Sequence, residues 1–251
     1  MDPDRVEKSE INKAFDETYF KRAVYADVTF KKYSQYWWSN RFYSGLAKRF
    51  GPKSGSVLEV GTGLGDLLGW FDPQKYRVTG TDINPWALEQ ARLHVPAGQF
   101  LEMDAEDLSR FADGSFQIVI SKHVVEHLPN PRNSINEMCR ILSPGGLLVL
   151  ATPNLDSPMR SLKKEKWVGY RDPTHISLKT PAEWTAMIKE NGLFIKKIFS
   201  DGFWDAPYYP LVPKMVQKII FGGPGGLQAI LGLTLLPVKS GESIVVLAVK
   251  G

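Results

Sequence analysis

Two groups of residues carry most of the chemistry open to this sequence. The first is Val57-Leu58-Glu59-Val60-Gly61-Thr62-Gly63-Leu64-Gly65-Asp66, an apolar run that breaks into closely spaced glycines. Glycines after a buried strand let the main chain turn sharply and leave bare backbone for a ligand to dock against. A dinucleotide fingerprint asks for a third small residue where Asp66 stands, and a carboxylate there would repel a pyrophosphate. Glu59 and Asp66 together suit a cation instead, such as the ammonium or sulfonium of an amino acid derivative. Asp82, next to Ile83, closes the second β-branched run about twenty residues beyond the turn, where a carboxylate accepts both hydroxyl hydrogens of a ribose. Asp104, followed by Ala105 and Glu106, comes after the third run and can accept from the exocyclic amine of a base. Amino acid, ribose and base thus line up along successive strand ends.

The second group is histidine. His123, Glu126 and His127 are spaced to share one helical face beyond the fourth run, and His175 lies in a later polar insertion. Neutral imidazole can take a proton near physiological pH if it reaches within a hydrogen bond of the acceptor, so His127, His123 and His175 are the candidate catalytic residues. The fourth histidine, His94, ends a helical segment and reads as a surface residue facing that helix's own carbonyls.

These groups need a scaffold that brings strand ends to one rim. Runs at 56–60, 77–81, 99–103, 116–120 and 147–151 alternate with helical patterns at 85–93 and 131–141, a grammar of βαβ units and a doubly wound parallel sheet. Pro144-Gly145-Gly146 reads as the stop of the second of these helices, Pro181–Asn191 as a helix closed by Gly192, and 194–199 and 243–249 as two final strands. Before the sheet, Tyr36, Trp37, Trp38, Phe42, Tyr43 and Leu46 are spaced for an amphipathic helix. The organisation expected is an N-terminal helical lid over 1–55 and an α/β core over 56–251, with insertions at about 156–179 and 203–240 covering the substrate.

Taken together, Glu59 to Gly65, Asp82, Asp104 to Glu106, Phe116 to Leu128 and the Leu142–Asn154 segment resemble the class I S-adenosylmethionine-dependent methyltransferases, in particular their small ubiquinone-biosynthesis-like branch. The resemblance covers about Ser56 to Asn154 well and the rest loosely. It implies a seven-stranded, mostly parallel sheet of order 3-2-1-4-5-7-6 with an antiparallel last strand. It implies S-adenosylmethionine as cofactor, with S-adenosylhomocysteine as product, held by Glu59, Gly61, Thr62, Gly63, Gly65, Asp82, Ile83, Asp104, Ala105 and Glu106. It also places Arg41 against the cofactor carboxylate and Lys122 at a cofactor-side position. The expected reaction is methyl transfer to an oxygen of a small-molecule or lipid-linked acceptor; a non-catalytic cofactor-binding scaffold of the same fold is the alternative. A second resemblance, to metal-assisted small-RNA 2′-O-methyltransferases, rests on His123, Glu126, His127, His175 and Glu183-Trp184, but their first glutamate is His123 here. No metal is expected.

Composition narrows the partners. The 251 residues carry 31 Lys and Arg against 27 Asp and Glu, a net +4 scattered along the chain, which argues against nucleic acid. One cysteine, Cys139, rules out an intrachain disulfide and a CxxC site, and a cytoplasmic location is the default. Met1 to Glu10 is charged and has no apolar run of the kind that opens a signal peptide. Ile219 to Val238 is free of charge, but Gly222, Gly223, Pro224, Gly225, Gly226 and Pro237 argue against a continuous helix. Three roles stay open for 203–238: a helix pair over a greasy acceptor, a homodimer face, or a peripheral membrane contact with Lys214 and Lys218 near the headgroups. In the 156–179 insertion, Trp167, Tyr170 and Arg171 are candidate acceptor contacts, and Lys163, Lys164 and Lys166 read as a solvated run or a contact to a phosphate or acidic sugar.

Overall fold

The computed structural model describes residues 31–251; the N-terminal thirty, including the first half of the expected lid, lie outside the described residues. The core is one seven-stranded sheet of order β3-β2-β1-β4-β5-β7-β6. Its strands are β1 Gly55–Val60, β2 Tyr76–Asp82, β3 Gln99–Glu102, β4 Phe116–Lys122, β5 Leu142–Pro153, β6 Leu193–Ser200 and β7 Ser243–Lys250. β1 to β5 pair in parallel, whereas β7 runs antiparallel to both β5 and β6. The order and the antiparallel strand are those expected.

Adjacent residues of the central strands face opposite cores. Leu58, Val119, Leu148 and Val246 pack with one set of helices, while Val57, Ile118, Leu147 and Val245 pack with another. That two-sided burial is why these strands read as unbroken apolar runs rather than alternating ones. On the first face lie α3, Pro131–Ile141, and α6, Pro181–Glu190, through Ile135, Met138, Trp184 and Ile188. Thr180 and Glu183 close a capping box at the start of α6, so Glu183 is occupied there and Trp184 is core; neither forms the aromatic lid of the RNA enzymes. Cys139 of α3 is buried, and burial pushes its thiol up to about 12.

On the second face lie α1, Gln35–Phe50, and α2, Pro85–His94. α1 starts at Ser34, whose hydroxyl accepts from the Trp37 amide, and buries Phe42, Tyr43, Leu46 and Ala47 against the sheet. It is therefore a layer of the core.

Three local expectations fail for identifiable reasons. α3 ends at Ile141 without help from Pro144-Gly145-Gly146: Leu142 already pairs with Phe116, and residues 143–146 bulge from β5 before Leu147 resumes opposite Ile118. The 156–179 insertion folds into α4, Pro158–Lys163, a tight turn at Lys164–Lys166, and α5, Val168–Arg171. Within it Trp167 is fully buried and donates its indole N–H to Glu242 Oε2 at 2.6 Å, so it anchors the insertion rather than touching an acceptor. Lys163 is ion-paired with Asp205, which also binds Arg171 at 3.1 Å, so Lys163 does not belong to a solvated run.

The third concerns 203–240. α7, Lys214–Gln217, continues through a wide π turn, Lys218–Gly222, into α8, Gly223–Leu231, which Gly232 closes in the left-handed region at φ +64. One interrupted helical stretch stands here rather than the helix pair that is one of the three readings open for 203–238. Pro224 falls in the first turn of α8, where a missing N–H costs little, and the π turn absorbs the glycine-rich junction. No helix among the described residues is long and apolar enough to cross a membrane.

Candidate active site

β1 delivers the chain into the glycine turn at the rim where β2, β3, β4 and β6 also end. Gly61 has φ +69, and a Cβ there would sit 2.3 Å from Val124 Cγ2; Gly65 has φ +78, and its Cβ would lie 2.9 Å from Ala91 of α2. Both positions need glycine for conformation and for closeness. Thr62 fixes the turn, its N–H donating to Thr81 O at 2.9 Å and its hydroxyl to Glu59 Oε2 at 2.9 Å. Asp82 holds it from the other side, accepting from the amides of Gly63 at 2.8 Å and Asn84 at 3.0 Å.

The electrostatics match a cationic ligand. Burial raises the pKa of Asp66 and Asp82, and pushes the Glu59 carboxyl up to about 8 against the pull of the Thr62 hydroxyl and the Lys122 ammonium. Burial thus works against Glu59 as the simple second negative charge expected. Burial lowers Lys122 to about 8, resisted by Glu59, Asp201 and Asp66. Its ammonium donates to Asn40 Oδ1 at 2.8 Å and faces the rings of Tyr36 and Tyr43. A cavity of about 270 Å³ opens between α1 and the glycine turn, lined by Tyr36, Trp37, Asn40, Asp66, Trp70 and His94 among others. Tyr36 hydrogen-bonds the Asp66 carboxyl, while two buried atoms of the lining, Asp66 Oδ2 and Asn40 Nδ2, have no partner among the described residues. An unmatched acceptor beside an unmatched donor fits a zwitterionic amino acid end.

Other predicted residues are engaged elsewhere. Arg41 donates to Ile230 O at 3.2 Å and stacks on Trp38, so its guanidinium is held by α8 rather than by a residue of the turn. Glu106 Oε1 accepts from the Asn130 amide at 2.6 Å where α3 begins, and Asp104 Oδ1 accepts from the Glu106 amide. Ala105 is buried, and Ile83 lends its amide to Asp82. His94 does lie at the surface, but Nδ1 reaches Leu64 O of the glycine turn at 2.9 Å instead of its own helix.

The histidines do not share a helical face. His123 stands at φ +55, and Val125–His127 forms a single 3₁₀ turn. The left-handed residue nevertheless returns its ring to Glu126, Nδ1 to Oε1 at 3.0 Å, and Thr152 donates to the other oxygen at 3.0 Å. Burial alone would raise the Glu126 pKa, but the bond to His123 and the three nearby imidazoles hold it at about 2. His127 and His175 face each other with ring centroids 4.6 Å apart. The Thr174 hydroxyl donates to Asp172 Oδ1 at 2.5 Å, so its oxygen accepts from His127 Nδ1 at 2.8 Å. His175 Nδ1 lies 2.8 Å from Gly169 O, which can only accept. Both rings thus carry a proton on Nδ1, and His175 Nε2 lies 3.9 Å from Asp172 Oδ2. Burial, reinforced by His175 and opposed by Glu126 and Asp172, lowers the His127 pKa.

Sequence reasoning missed Asp172 and Thr174, although Asp172-Pro173-Thr174 is a turn signature directly before His175. It also missed Asp201, just past β6, which burial raises to about 6 and which faces both Lys122 and His123. A carboxylate following a strand end, as Asp82 and Asp104 do, was the available signal.

The strand order, the glycine turn closing β1 and the carboxylates at the ends of β2 and β3 define the Rossmann-like architecture of class I S-adenosylmethionine-dependent methyltransferases. Residues 34–197 match the model of a family described as a methyltransferase domain. The chain belongs to that family. A ubiquinone biosynthesis O-methyltransferase of Pseudomonas paraeruginosa is 32% identical over 113 residues, 43% of this chain and 49% of that protein. An uncharacterized methyltransferase of Mycobacterium sp. (strain KMS) is 33% identical over 100 residues, 40% of this chain and 39% of that one. The match thus spans less than half the length of these relatives. A solved S-adenosylmethionine-dependent methyltransferase from Archaeoglobus fulgidus superposes with TM-score 0.58 at 19% identity, over 84% of this chain and 94% of that one, a likeness of fold.

Proposed function

We propose that this chain transfers a methyl group from S-adenosylmethionine to an oxygen of a small-molecule or lipid-linked acceptor. The observation that carries the cofactor is the set of three carboxyls, Glu59, Asp66 and Asp82, all raised by burial around a bare glycine turn, which a bound cation would relieve. Asp82 would take the ribose hydroxyls, Asp104 and Ala105 the base, and Asp66, Asn40 and Lys122 the amino acid end. When bound, the sulfonium supplies a methyl group on a leaving group that departs neutral. The protein orients the acceptor and excludes water. An oxygen acceptor must also lose its proton, and His127 Nε2 is the base, with Asp172 and Thr174 fixing its tautomer and His175 beside it. The name of the Pseudomonas paraeruginosa relative supports oxygen as the acceptor atom.

Calorimetry is expected to show S-adenosylhomocysteine binding and no response to NADH; the reverse overturns the reading. A mass-shift screen for methylated phenols and polyprenyl conjugates then tests transfer. Cofactor binding with no transfer to any acceptor would favour a scaffold.

Glu126, His127 and His175 offer ligand atoms that all lie within 4.8 Å of one another, spacing that could hold a cation. Both Glu126 oxygens already accept hydrogen bonds, from His123 and Thr152, which favours a proton-handling role. Turnover is expected to survive dialysis against EDTA. Loss on chelation, restored by a divalent ion, would reverse that assignment.

A further inference from the structure

The excursion between β6 and β7 is amphipathic the wrong way round for a soluble surface. Its two glutamine side chains point inward. Gln217, fully buried, accepts from the Tyr208 and Tyr209 amides and donates to the carbonyls of Tyr209 and Val212. Gln228, also buried, donates to Ser200 O and accepts from the amides of Leu235 and Leu236. Its apolar side chains point outward: Met215, Ile219, Ile220, Leu227 and Leu231 are each more than half exposed, and the flanking Leu211 and Leu235 are 96% and 72% exposed. Gln217, with all four side-chain hydrogen bonds made, and Gln228, with three, pin the inner side, so the outer side cannot roll inward to hide its apolar groups. The π turn at 218–222, which carries Ile219 and Ile220, joins Met215 of α7 to Leu227 and Leu231 of α8 in one continuous stretch.

Charge identifies the occupant. Between Asp205 and Glu242 there is no acidic residue, while Lys214, Lys218 and Lys239 are all exposed. An apolar face bordered only by cations is the pattern of a helix lying in an anionic lipid surface. We infer that the outer face of residues 211–235 docks this protein on an anionic bilayer. The surface stands near the candidate active site: β6 runs parallel to β5, so the chain leaves the sheet at the same rim as the glycine turn. From α1, Arg41 and Arg49 donate to the carbonyls of Ile230 and Gly232, at 3.2 and 2.8 Å. The inference does not require that the reaction proposed above be correct.

The test is flotation of the full chain with liposomes, phosphatidylcholine alone against phosphatidylcholine mixed with phosphatidylglycerol. Co-flotation is expected with the mixed vesicles only. Ile219→Glu combined with Leu227→Glu, and separately Lys214→Glu with Lys218→Glu, should each weaken partitioning by at least roughly tenfold. Unchanged melting temperature and retained S-adenosylhomocysteine affinity show that the variants are folded. Failure of the unaltered chain to float overturns the inference, as does flotation of both variants at the original level. A dimer in light scattering that Ile219→Glu with Leu227→Glu dissolves, without flotation of the original chain, would assign the face to a second copy instead.

Discussion

His127→Gln is expected to lower turnover by about 100-fold or more while leaving S-adenosylhomocysteine affinity within about twofold, because a positioned general base contributes at that scale and the ring is not among the proposed cofactor contacts. Glutamine keeps the size and a hydrogen bond to Thr174 but has no basic nitrogen. Steady-state kinetics on the acceptor found by the mass-shift screen, set beside calorimetry, reads the two effects separately. Unchanged turnover removes His127 from the mechanism. Burial favours neutral imidazole and so lowers the His127 pKa, and the acid limb of kcat against pH should lie below the ordinary imidazole value of about 6.5. Asp172 opposes that shift, since its charge favours the imidazolium. Asp172→Asn therefore moves the acid limb to still lower pH while reducing the plateau, because the anchor of the Thr174 hydroxyl is weakened. A merely structural role for Asp172 would lower the plateau and leave the limb in place.

The second large effect is expected at Gly61→Ala. The left-handed backbone costs an alanine roughly 1–2 kcal/mol. The new Cβ would stand 2.3 Å from Val124 Cγ2, an overlap that must be relieved by moving the segment leading to His127. Such overpacking adds about 1–3 kcal/mol, for a total near 3 kcal/mol in denaturant unfolding. S-adenosylhomocysteine affinity should fall by at least about tenfold, because the displaced turn is the proposed docking backbone. Gly45→Ala is the matched control. It lies inside α1 with nothing within 4 Å of the added carbon, and should be neutral or stabilising by up to about 1 kcal/mol. Equal stability and affinity in the two variants would show that the glycine turn does not need its conformation.

The residues most legible in the sequence are those whose surroundings are local. Two-sided burial made β1, β4 and β5 readable as apolar runs, and Pro131 and Pro181 marked the starts of α3 and α6. Gly61, Gly65 and Asp82 were legible because a strand, a turn and a carboxylate at fixed spacing leave few alternatives. Long-range partners were not. Nothing near Trp167 announces that Glu242 will accept its indole proton, and nothing near Lys163 announces Asp205. His123 departs from its apparent helical spacing, standing in the left-handed region while its ring still reaches Glu126. Glycine content at 222–226 argued against a helix, yet tertiary hydrogen bonds through Gln217 and Gln228 outweigh propensity there.

Cys139 offers a further use of the fold. A thiol buried in α3 and pushed up to about 12 has almost no thiolate at neutral pH, so an alkylating reagent can reach it only when α3 swings away from the sheet. With a single cysteine in the chain, the labelling rate clocks the rare openings of one core face and leaves the opposite face silent.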